Sequence, residues 1–367
     1  MMNAIGIGGA GGKLAVGLDP EATVVNVSET ELSKLHARHP LLAVVHSDHG
    51  QVRGSRKNPA IGADAYASIK RELLRLIPHN LVFSSTGGGT GNGISGAVLR
   101  DLSAQDDVPS QDKTLFALVL PCAKLESADY VNNTVQFLRG PVSDAIDSGN
   151  TGNIFLFSNT LKYDSRLTEA KYNEMILDSL RVFLSVPEKG DAFNLVEGHI
   201  DHEDFELFTS RPYFNHFTYF DYDPSGDFGK QLAANSNPLL LTPENPIEAL
   251  FILEVPTAAD TSSFYDILQH FVDINVSPVY GVVENPERTS PFVTVSLLYS
   301  RKPAELVADF NEIAEEHTRA KVRKSLEQNV VLPTLEVNLE REAKHAARQQ
   351  GGDDADVLSI LRRIGKL

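Results

Sequence analysis

Short, strongly apolar runs separated by polar or glycine-rich segments mark the first part of the chain. The clearest runs are Leu81–Thr86, Thr114–Pro121 and Asn153–Thr160, and each predicts a strand that is buried on both faces. The segments between them are long enough to form helices. Because strands that alternate with helices form parallel sheets, the pattern predicts a doubly wound, Rossmann-like α/β domain over residues 1–165.

The pattern changes at Arg166. Residues 166–184 carry apolar side chains on more than one side of a helix, which predicts a buried helix. Further apolar runs beyond residue 245 predict the strands Ile247–Val255, Val279–Val283 and Phe292–Ser300, with a helix at Ser262–Ile274.

A C-terminal helix and tail are predicted over residues 301–367. The segment Pro303–Gln328 places Leu306 and Phe310 on one apolar face and predicts a long helical extension. The last segment, Asp356–Leu367, has apolar residues on one helical face and basic residues near its end. Such an amphipathic peptide suits a groove on a partner protein, and it suits equally the chain's own surface or a neighbouring copy.

Composition and charge exclude several classes of function. The 367 residues include 33 basic and 49 acidic side chains, and the net charge of −16 argues against bulk nucleic-acid binding. No run of about 18 apolar residues predicts a membrane span, and the first residues do not resemble a signal peptide. Cys122 is the only cysteine, so no internal disulfide can form. We therefore expect a cytoplasmic protein.

The segment Gly87–Gly93 is the strongest chemical signal in the sequence. Five of its seven residues are glycine, which frees the backbone for positive φ angles and for close approach to a ligand. It lies between a predicted strand and a predicted helix that starts at Ile94. A helix N-terminus behind a glycine loop presents unpaired amides and a positive dipole end, so the pattern predicts a phosphate site.

A second glycine-rich segment opens the chain. Gly6, Gly8 and Gly11 match the dinucleotide fingerprint G-x-G-x-x-G, and Glu29 or Glu31 follows at the spacing of a ribose-binding acid. The motif alone does not specify which nucleotide is bound. A nicotinamide-dependent oxidoreductase is therefore an alternative, although it leaves the other glycine-rich segment unexplained.

The two segments together resemble those of the tubulin/FtsZ superfamily. Gly87–Gly93 is similar to the family signature, GGGTG followed by Ser, Thr or Asn and then Gly, and Gly6–Ala15 is similar to the opening loop of FtsZ. The resemblance can be followed over residues 3–300. With its helical C-terminal extension, the chain looks most like divergent plasmid- and phage-borne tubulins of the TubZ and PhuZ kind. The resemblance implies a GTP-binding domain over residues 1–165 and a central connecting helix over residues 166–190. It also implies a smaller, mixed-sheet α+β second domain, which is GTPase-activating, over residues 191–300.

A basic loop resembles the family loop that senses the terminal phosphate. The loop lies within His49–Gly62, where Gly54 and Ser55 can present amides to a phosphate. Arg53, Arg56 and Lys57 bring positive charge to the same place.

The resemblance implies that GTP or GDP is bound, with Mg²⁺ on the nucleotide phosphates. Glu126 stands at the position of a ribose contact and Asn159 at that of a guanine contact, while Lys13 replaces a family asparagine near the base. The nucleotide-binding residues implied in this way are Gly8, Gly9, Ala10, Gly11, Gly12, Lys13, Gly54, Ser55, Arg56, Gly87, Gly88, Gly89, Thr90, Gly91, Asn92, Gly93, Glu126 and Asn159.

An acidic segment, Gly198–Phe205, resembles the FtsZ loop N-x-D-x-x-D. Asp201 and Asp204 occupy its acidic positions, and His199 replaces the asparagine. In the family this loop contacts the nucleotide of the next subunit, so the resemblance implies that both aspartates are catalytic at a head-to-tail joint, where they orient water. Two alternatives stay open: a metal site formed by His199, Asp201, His202 and Asp204, and a plain acidic turn.

The function implied by the resemblance is that of a GTP-hydrolysing cytoskeletal protein that polymerises head to tail into dynamic filaments. The expected setting is the cytoplasm of a bacterial, archaeal or phage-infected cell, and the expected role is the positioning of plasmid or phage DNA. An FtsZ-like division protein and a non-hydrolysing interaction module are alternatives. The expected partner is the protein itself, and an adaptor protein docked on Asp356–Leu367 is a further one.

Overall fold

A computed structural model describes residues 2–47, 50–51, 54–242, 245–257 and 261–299, and scattered positions from 306 to 323. Residues 1–318 form one compact unit, and residues 319–367 form a second. Leu306 and Phe310 are helical and pack against the core of the first unit. Much of the predicted helix Pro303–Gln328 lies outside the described residues, and the predicted tail Asp356–Leu367 lies entirely outside them.

Strands form where the apolar runs predict them. In chain order the strands of the described residues are β1 (Ala4–Ile7), β2 (Thr23–Asn26), β3 (His39–Leu42), β4 (His46–Ser47), β5 (Gly50–Gln51), β6 (Leu81–Ser85), β7 (Leu115–Leu120), β8 (Ile154–Ser158), β9 (Asn194–Gly198), β10 (Phe214–Asp221), β11 (Pro246–Val255), β12 (Pro278–Glu284) and β13 (Phe292–Tyr299).

Helices separate most of these strands. In chain order they are α1 (Gly8–Leu18), α2 (Glu29–Lys34), α3 (Pro59–Leu76), α4 (Gly89–Ser103), α5 (Ala128–Phe137), α6 (Ser143–Ser148), α7 (Thr160–Asp164), α8 (Glu169–Leu184), α9 (Val186–Ala192), α10 (His202–Thr209), α11 (Phe228–Ala234) and α12 (Phe264–Asp273). A 3₁₀ turn at Ser110–Asp112 and a π-helix at Leu138–Val142 lie between other elements.

The described strands form one long sheet and a separate β4–β5 hairpin. The order in the long sheet is β3-β2-β1-β6-β7-β8-β10-β13-β11-β12-β9. Strands from β3 to β8 in this order are parallel, and the rest are mixed. One residue pair, Phe214 beside Ile154, joins the two parts. The predicted fold class is confirmed, whereas the domain boundaries at residues 165, 190 and 300 stay a prediction.

Helices cover both faces of the parallel part of the sheet. On one face, Ile69 of α3 and Val98 of α4 share a core with Ile7 of β1. On the other face, Leu14 of α1 and Ile176 of α8 belong to a second core. Two-sided covering is what nearly continuous apolar strands require, because neither face can be left in water.

The predicted central helix is α8, and it begins three residues later than the apolar pattern predicts. Arg166 has a φ of 51°, a left-handed conformation that a helix does not contain. The Thr168 hydroxyl then caps the first turn by accepting a hydrogen bond from the Lys171 amide at 3.3 Å. Near the other end of the helix, Phe183 packs against Phe205 of α10, with ring centroids 5.1 Å apart.

Candidate functional site

A cleft of about 570 Å³ opens where β1, β6, β7 and β8 end. The order of strands along the sheet reverses between β1 and β6. Helices that follow the strands on the two sides of such a point leave on opposite faces, and open α/β sheets bind ligands in the crevice between them. The helices that follow β1 and β6, α1 and α4, both begin at this cleft.

The start of α4 differs from the sequence prediction. The helix begins at Gly89 and not at Ile94, so most of Gly87–Gly93 is helical and is not a loop. None of these glycines has a positive φ, so that part of the prediction is wrong. The segment instead permits close packing: a Cβ atom on Gly93 would lie 2.7 Å from the Ala63 amide nitrogen. α3 can approach α4 this closely only because no side chain intervenes.

The first glycine-rich segment forms the start of α1. Gly8 has a φ of 76°, and a Cβ atom there would lie 2.9 Å from the amide nitrogen of Gly91. The two glycine-rich helix starts therefore contact each other, and their positive dipole ends meet at one cleft. Two helix N-termini with free amides in one crevice form a site suited to an anion such as a nucleotide phosphate.

Most of the predicted nucleotide-binding residues line this cleft. They are Gly9, Ala10, Gly54, Ser55, Arg56, Gly87, Gly88, Gly89, Thr90, Gly91, Glu126 and Asn159. The other predicted nucleotide-binding residues do not line the cleft, and they are Gly8, Gly11, Gly12, Lys13, Asn92 and Gly93. The Asn92 side chain, for example, donates hydrogen bonds to the Thr86 and Asn133 carbonyls, which fixes α4 against neighbouring segments. A role of any of these residues in nucleotide binding stays a prediction.

The turn Gly54–Asn58 closes one side of the cleft. The Thr90 hydroxyl donates a hydrogen bond to Ser55 Oγ at 3.0 Å, which joins the turn to the first residues of α4. Lys57 also lines the cleft, as the charge of this loop predicts. Arg53, the third basic residue of the predicted loop, lies outside the described residues.

Residues that follow β7 and β8 form the opposite side of the cleft. Glu126 Oε2 accepts hydrogen bonds from the Cys122 amide at 2.6 Å and from the Asn159 side-chain amide at 3.2 Å. The predicted ribose and guanine contacts therefore touch each other. Partial burial and the neighbouring Glu126 carboxylate raise the pKa of the Tyr163 hydroxyl, so the phenol stays protonated beside the carboxylate.

Several cleft residues were not among those that the sequence singled out for nucleotide binding. Glu31, which fits the ribose-acid position of a dinucleotide site, lies beside Gly9. Glu169, the first residue of α8, pairs with Lys13 at 2.8 Å. The other such residues are Ser28, Ser85, Val119, Pro121, Tyr130 and Lys162. Most of them lie at or just after the ends of β2, β6, β7 and β8. This position at the carboxyl edge of a parallel sheet is the signal that identifies them.

Asp201 and Asp204 lie at the start of α10. Asp201 is the N-cap residue, because its Oδ1 accepts a hydrogen bond from the Asp204 amide at 2.8 Å. Asp191 Oδ1 lies 4.0 Å from His199 Nε2, and its Oδ2 lies 3.7 Å from His202 Nε2. Within the described ranges, no three His, Cys, Asp or Glu side chains form a group that could hold a metal ion.

The acidic start of α10 and the cleft are far apart in one molecule. Glu169 at the start of α8 lines the cleft, whereas Phe183 of the same helix contacts Phe205 of α10. Fourteen residues of helix separate these two contacts, a distance of about 21 Å at about 1.5 Å per residue. The far end of α10 also lies away from the cleft. The Thr209 carbonyl accepts a hydrogen bond from the Asn153 amide, which stands just before the start of β8, and it is the other end of β8 that leads to the cleft.

Comparison with known proteins identifies the fold. No protein-family model matches the chain, and no curated protein matches it in sequence. Solved structures do match, among them a protofilament of TubZ from Bacillus thuringiensis serovar israelensis in its GTPγS form. The TM-score is 0.68 at 15% identity, over 87% of this chain and 94% of TubZ. The chain has the tubulin/FtsZ fold.

Other structures with the tubulin/FtsZ fold also match the chain. A GTPγS-bound protofilament of CetZ2 from Haloferax volcanii gives a TM-score of 0.64 at 19% identity, over 88% of this chain and 99% of CetZ2. An empty FtsZ dimer from M. jannaschii gives 0.59 at 16% identity, over 82% and 88%. The family resemblance carried by the two glycine-rich segments is therefore confirmed at the level of the fold. In the part of the chain that the structure describes, no helix combines the length and the apolar character that crossing a membrane requires.

Proposed function

We propose that this protein binds GTP and hydrolyses it at the joint between two copies that are arranged head to tail in a filament. One observation carries the proposal: the cleft with two helix N-termini and the acidic start of α10 lie at opposite ends of α8. In a lone molecule, about 21 Å of α8 separates its contact with the cleft from its contact with α10. A second copy in the same orientation brings its acidic end to the cleft of the first, and repetition of this heterologous contact builds a filament.

The cleft suits a nucleoside triphosphate in size and in chemistry. Its volume of about 570 Å³ is typical of a small-molecule site. In the proposed mode, the phosphates lie at the starts of α1 and α4, Glu126 contacts the ribose and Asn159 contacts the guanine. Mg²⁺ usually takes one or two carboxylates together with substrate phosphates. The described residues fit such an ion because they provide cleft carboxylates, among them Glu31, but no complete protein cage.

In the proposed joint, the two aspartates orient the water that attacks the terminal phosphate. The cleft is lined by basic side chains, including Arg56 and Lys57, and it has amides for the phosphates. A water that attacks the terminal phosphate needs an acceptor that orients it, and geometry contributes more to this step than basicity does. Asp201 uses one oxygen as the helix cap, so its second oxygen and the Asp204 carboxylate can face the nucleotide of the neighbour.

The structural neighbours support assembly. TubZ from Bacillus thuringiensis serovar israelensis and CetZ2 from Haloferax volcanii were both solved as protofilaments with GTPγS. A phage protein, TubZ of Clostridium botulinum phage c-st, shares the fold at a TM-score of 0.61 and 18% identity, over 87% of this chain and 97% of that one. By analogy, the proposed role is to position plasmid or phage DNA in a bacterial, archaeal or phage-infected cytoplasm, with an adaptor protein bound to the tail Asp356–Leu367.

Turnover as a function of protein concentration tests the joint. If the catalytic site needs two copies, GTP hydrolysis per molecule is negligible below a threshold concentration and rises steeply above it. Electron microscopy above the threshold shows filaments with GTP, and longer-lived ones with GTPγS. Hydrolysis that is equally fast per molecule in a dilute, strictly monomeric sample would place the complete site within one chain and refute the proposal.

A further inference from the structure

The turn Gly54–Asn58 has an unusual backbone. Arg56 and Lys57 have φ angles of 48° and 63°, in the left-handed region that side chains with a Cβ atom disfavour. Two successive residues hold such a conformation only where their surroundings fix it, and such places concentrate at ligand sites. The contacts that fix this turn therefore indicate which of its groups it presents to a ligand in the cleft.

One side chain of α5 holds the backbone of the turn. Asn133 Nδ2 donates hydrogen bonds to the Lys57 carbonyl at 3.1 Å and to the Gly87 carbonyl at 2.9 Å. The same amide group therefore joins the turn to the residues that lead into α4. Because the Thr90 hydroxyl also donates to Ser55, the turn is anchored on both of its sides.

A second side chain of α5 holds the Lys57 ammonium. Lys57 Nζ lies over the ring of Tyr130, 4.7 Å from the ring centroid, and both residues line the cleft. A ring face attracts a cation without accepting its hydrogen bonds in the way that a carboxylate does. No described carboxylate forms an ion pair with Lys57. The ammonium group is thus located inside the cleft and keeps donors for an anion.

The position of this pair assigns it to one end of a bound nucleotide. The turn leads into α3 and packs on the start of α4, where a Cβ atom on Gly89 would lie 2.6 Å from Ser55 Oγ. α3 and α4 belong to the core on one face of the sheet, and α8, which begins at Glu169, belongs to the core on the other face. A nucleotide with its base near Asn159 and α8 therefore directs its phosphates across the starts of α1 and α4 toward Lys57.

We propose that Lys57 is the cation that contacts the terminal phosphate, and that Tyr130 and Asn133 are positioning residues that hold it there. The cleft then distinguishes a nucleoside triphosphate from a diphosphate, because only the triphosphate reaches the ammonium. This inference rests on the proposed nucleotide-binding function. A second lysine–tyrosine pair provides a matched control: Lys162 Nζ lies 5.4 Å from the centroid of the Tyr163 ring, on the Glu126 side of the cleft.

The test compares the dissociation constants of GTPγS and GDP, measured by calorimetry below the assembly threshold. Lys57→Met is expected to weaken GTPγS binding about tenfold and to change GDP binding little, because a charge-assisted hydrogen bond to the terminal phosphate is lost. Tyr130→Leu is expected to weaken GTPγS about threefold, whereas Tyr130→Phe keeps the ring face and the wild-type ratio. Lys162→Met is expected to shift both constants by the same factor.

The outcomes separate this inference from the proposed function. If Lys57→Met weakens GTPγS and GDP equally, or if Tyr130→Leu leaves their ratio at the wild-type value, the assignment of the terminal phosphate to Lys57 is wrong although nucleotide binding stands. If the wild-type protein binds neither nucleotide, the proposed function fails and this inference fails with it. Lys57 is exposed, so its substitution should leave the melting temperature unchanged, and melting curves of all variants check this.

Discussion

Asp201 has a structural and a proposed chemical task, and two substitutions separate them. Asparagine caps a helix about as well as aspartate but carries no charge. Alanine neither caps the helix nor carries a charge. Asp201→Ala should therefore cost about 1 kcal/mol in the free energy of unfolding, and Asp201→Asn should cost a few tenths at most. Both should lose most GTP turnover while retaining GTP binding, because in the proposed joint the carboxylate acts on the nucleotide of the neighbouring copy.

Urea unfolding and steady-state turnover together check this prediction. The informative variant is Asp201→Asn, which isolates the loss of charge from the loss of the cap. If Asp201→Asn hydrolyses GTP at the wild-type rate and only Asp201→Ala is impaired, then Asp201 is a helix cap and not a catalytic residue.

His216 makes stability depend on pH. The ring is 2% exposed; its Nδ1 lies 2.9 Å from the Leu241 carbonyl, and its Nε2 accepts from the Asn237 amide at 3.2 Å. Burial lowers its pKa from 6.5 to about 4, despite the opposing hydrogen bond to Leu241. The unfolded chain therefore takes up the proton first as the pH falls. The contribution of His216 is complete above pH 6.5 and is lost toward pH 4, at about 1.4 kcal/mol per pH unit.

Urea unfolding between pH 7 and pH 5 measures this dependence. His216→Gln removes the titrating group, so its stability should fall less steeply over this range than that of the wild type, whatever its stability at pH 7. His36→Gln, at an exposed position, is the control and should keep the wild-type slope. Parallel curves for wild type and His216→Gln would show that His216 is not the group responsible.

At the scale of elements, the contact between α3 and α4 depends on a missing side chain. A Cβ atom on Gly93 would lie 2.7 Å from the Ala63 amide nitrogen and would force the helices apart. Gly93→Ala should therefore destabilise the protein by about 1–3 kcal/mol, although alanine is the better helix former. Gly140 lies within the π-helix and has no atom within 4 Å of its added Cβ, so Gly140→Ala is the matched control.

Unfolding in urea compares the two alanine variants directly. Gly140→Ala should be neutral or more stable by up to about 1 kcal/mol, since only the propensity term applies. A Gly93→Ala variant as stable as the wild type would mean that the helices can separate without loss, and that close packing is not why glycine stands there.

Strands and helix starts differ in how far the sequence predicts them. The apolar runs predict β6 and β8 to within a few residues, because a run of apolar side chains is recognisable without knowledge of its tertiary partner. The starts of α1 and α4 were missed, because glycine has a low helix propensity. These turns are helical where their backbone packs against β6 and α3, and tertiary packing of this kind overrides propensity.

Long-range polar contacts were beyond sequence reasoning for a related reason. Glu254 is 1% exposed and accepts from Lys189 Nζ at 2.6 Å and from Arg288 Nε at 3.1 Å. Burial alone would raise the pKa of Glu254, but the two cations hold it below its ordinary value. Lys189 lies 65 positions from Glu254 in the sequence, and Arg288 lies 34 positions away, so no local spacing indicates this cluster. It fixes α9, whose Gly190 packs on Ile200 just before the acidic segment.

At the scale of the whole molecule, α8 gives the protein two different ends. One end presents the cleft with Arg56, Lys57 and Lys162, and the other presents Asp201, Glu203 and Asp204 at the start of α10. The cleft lining carries both signs of charge, because Glu31, Glu126 and Glu169 accompany these three cations. The two ends of the molecule therefore differ, and a joint that sets one against the other is heterologous.

A subunit with one blocked end should stop the growth of such a chain. Leu207 is 50% exposed on α10, one turn after Asp204, so Leu207→Glu alters the acidic end without disturbing the core. This variant should bind GTP normally through its intact cleft but form no joint through its acidic end. Mixed with wild type at about one copy in ten, it should shorten filaments and suppress turnover far more than in proportion to its share, because each variant ends one chain.

Filament length by electron microscopy and turnover of the mixtures, at constant total protein, test this. Leu207→Met keeps the apolar surface and should leave both near wild type at every mixing ratio. A fall in turnover that is only proportional to the fraction of Leu207→Glu would mean that the variant is merely inactive and does not terminate chains. A head-to-tail filament grows through two different faces, so a subunit whose α10 face is blocked must stop it. A proportional fall would therefore also contradict a head-to-tail joint that uses α10.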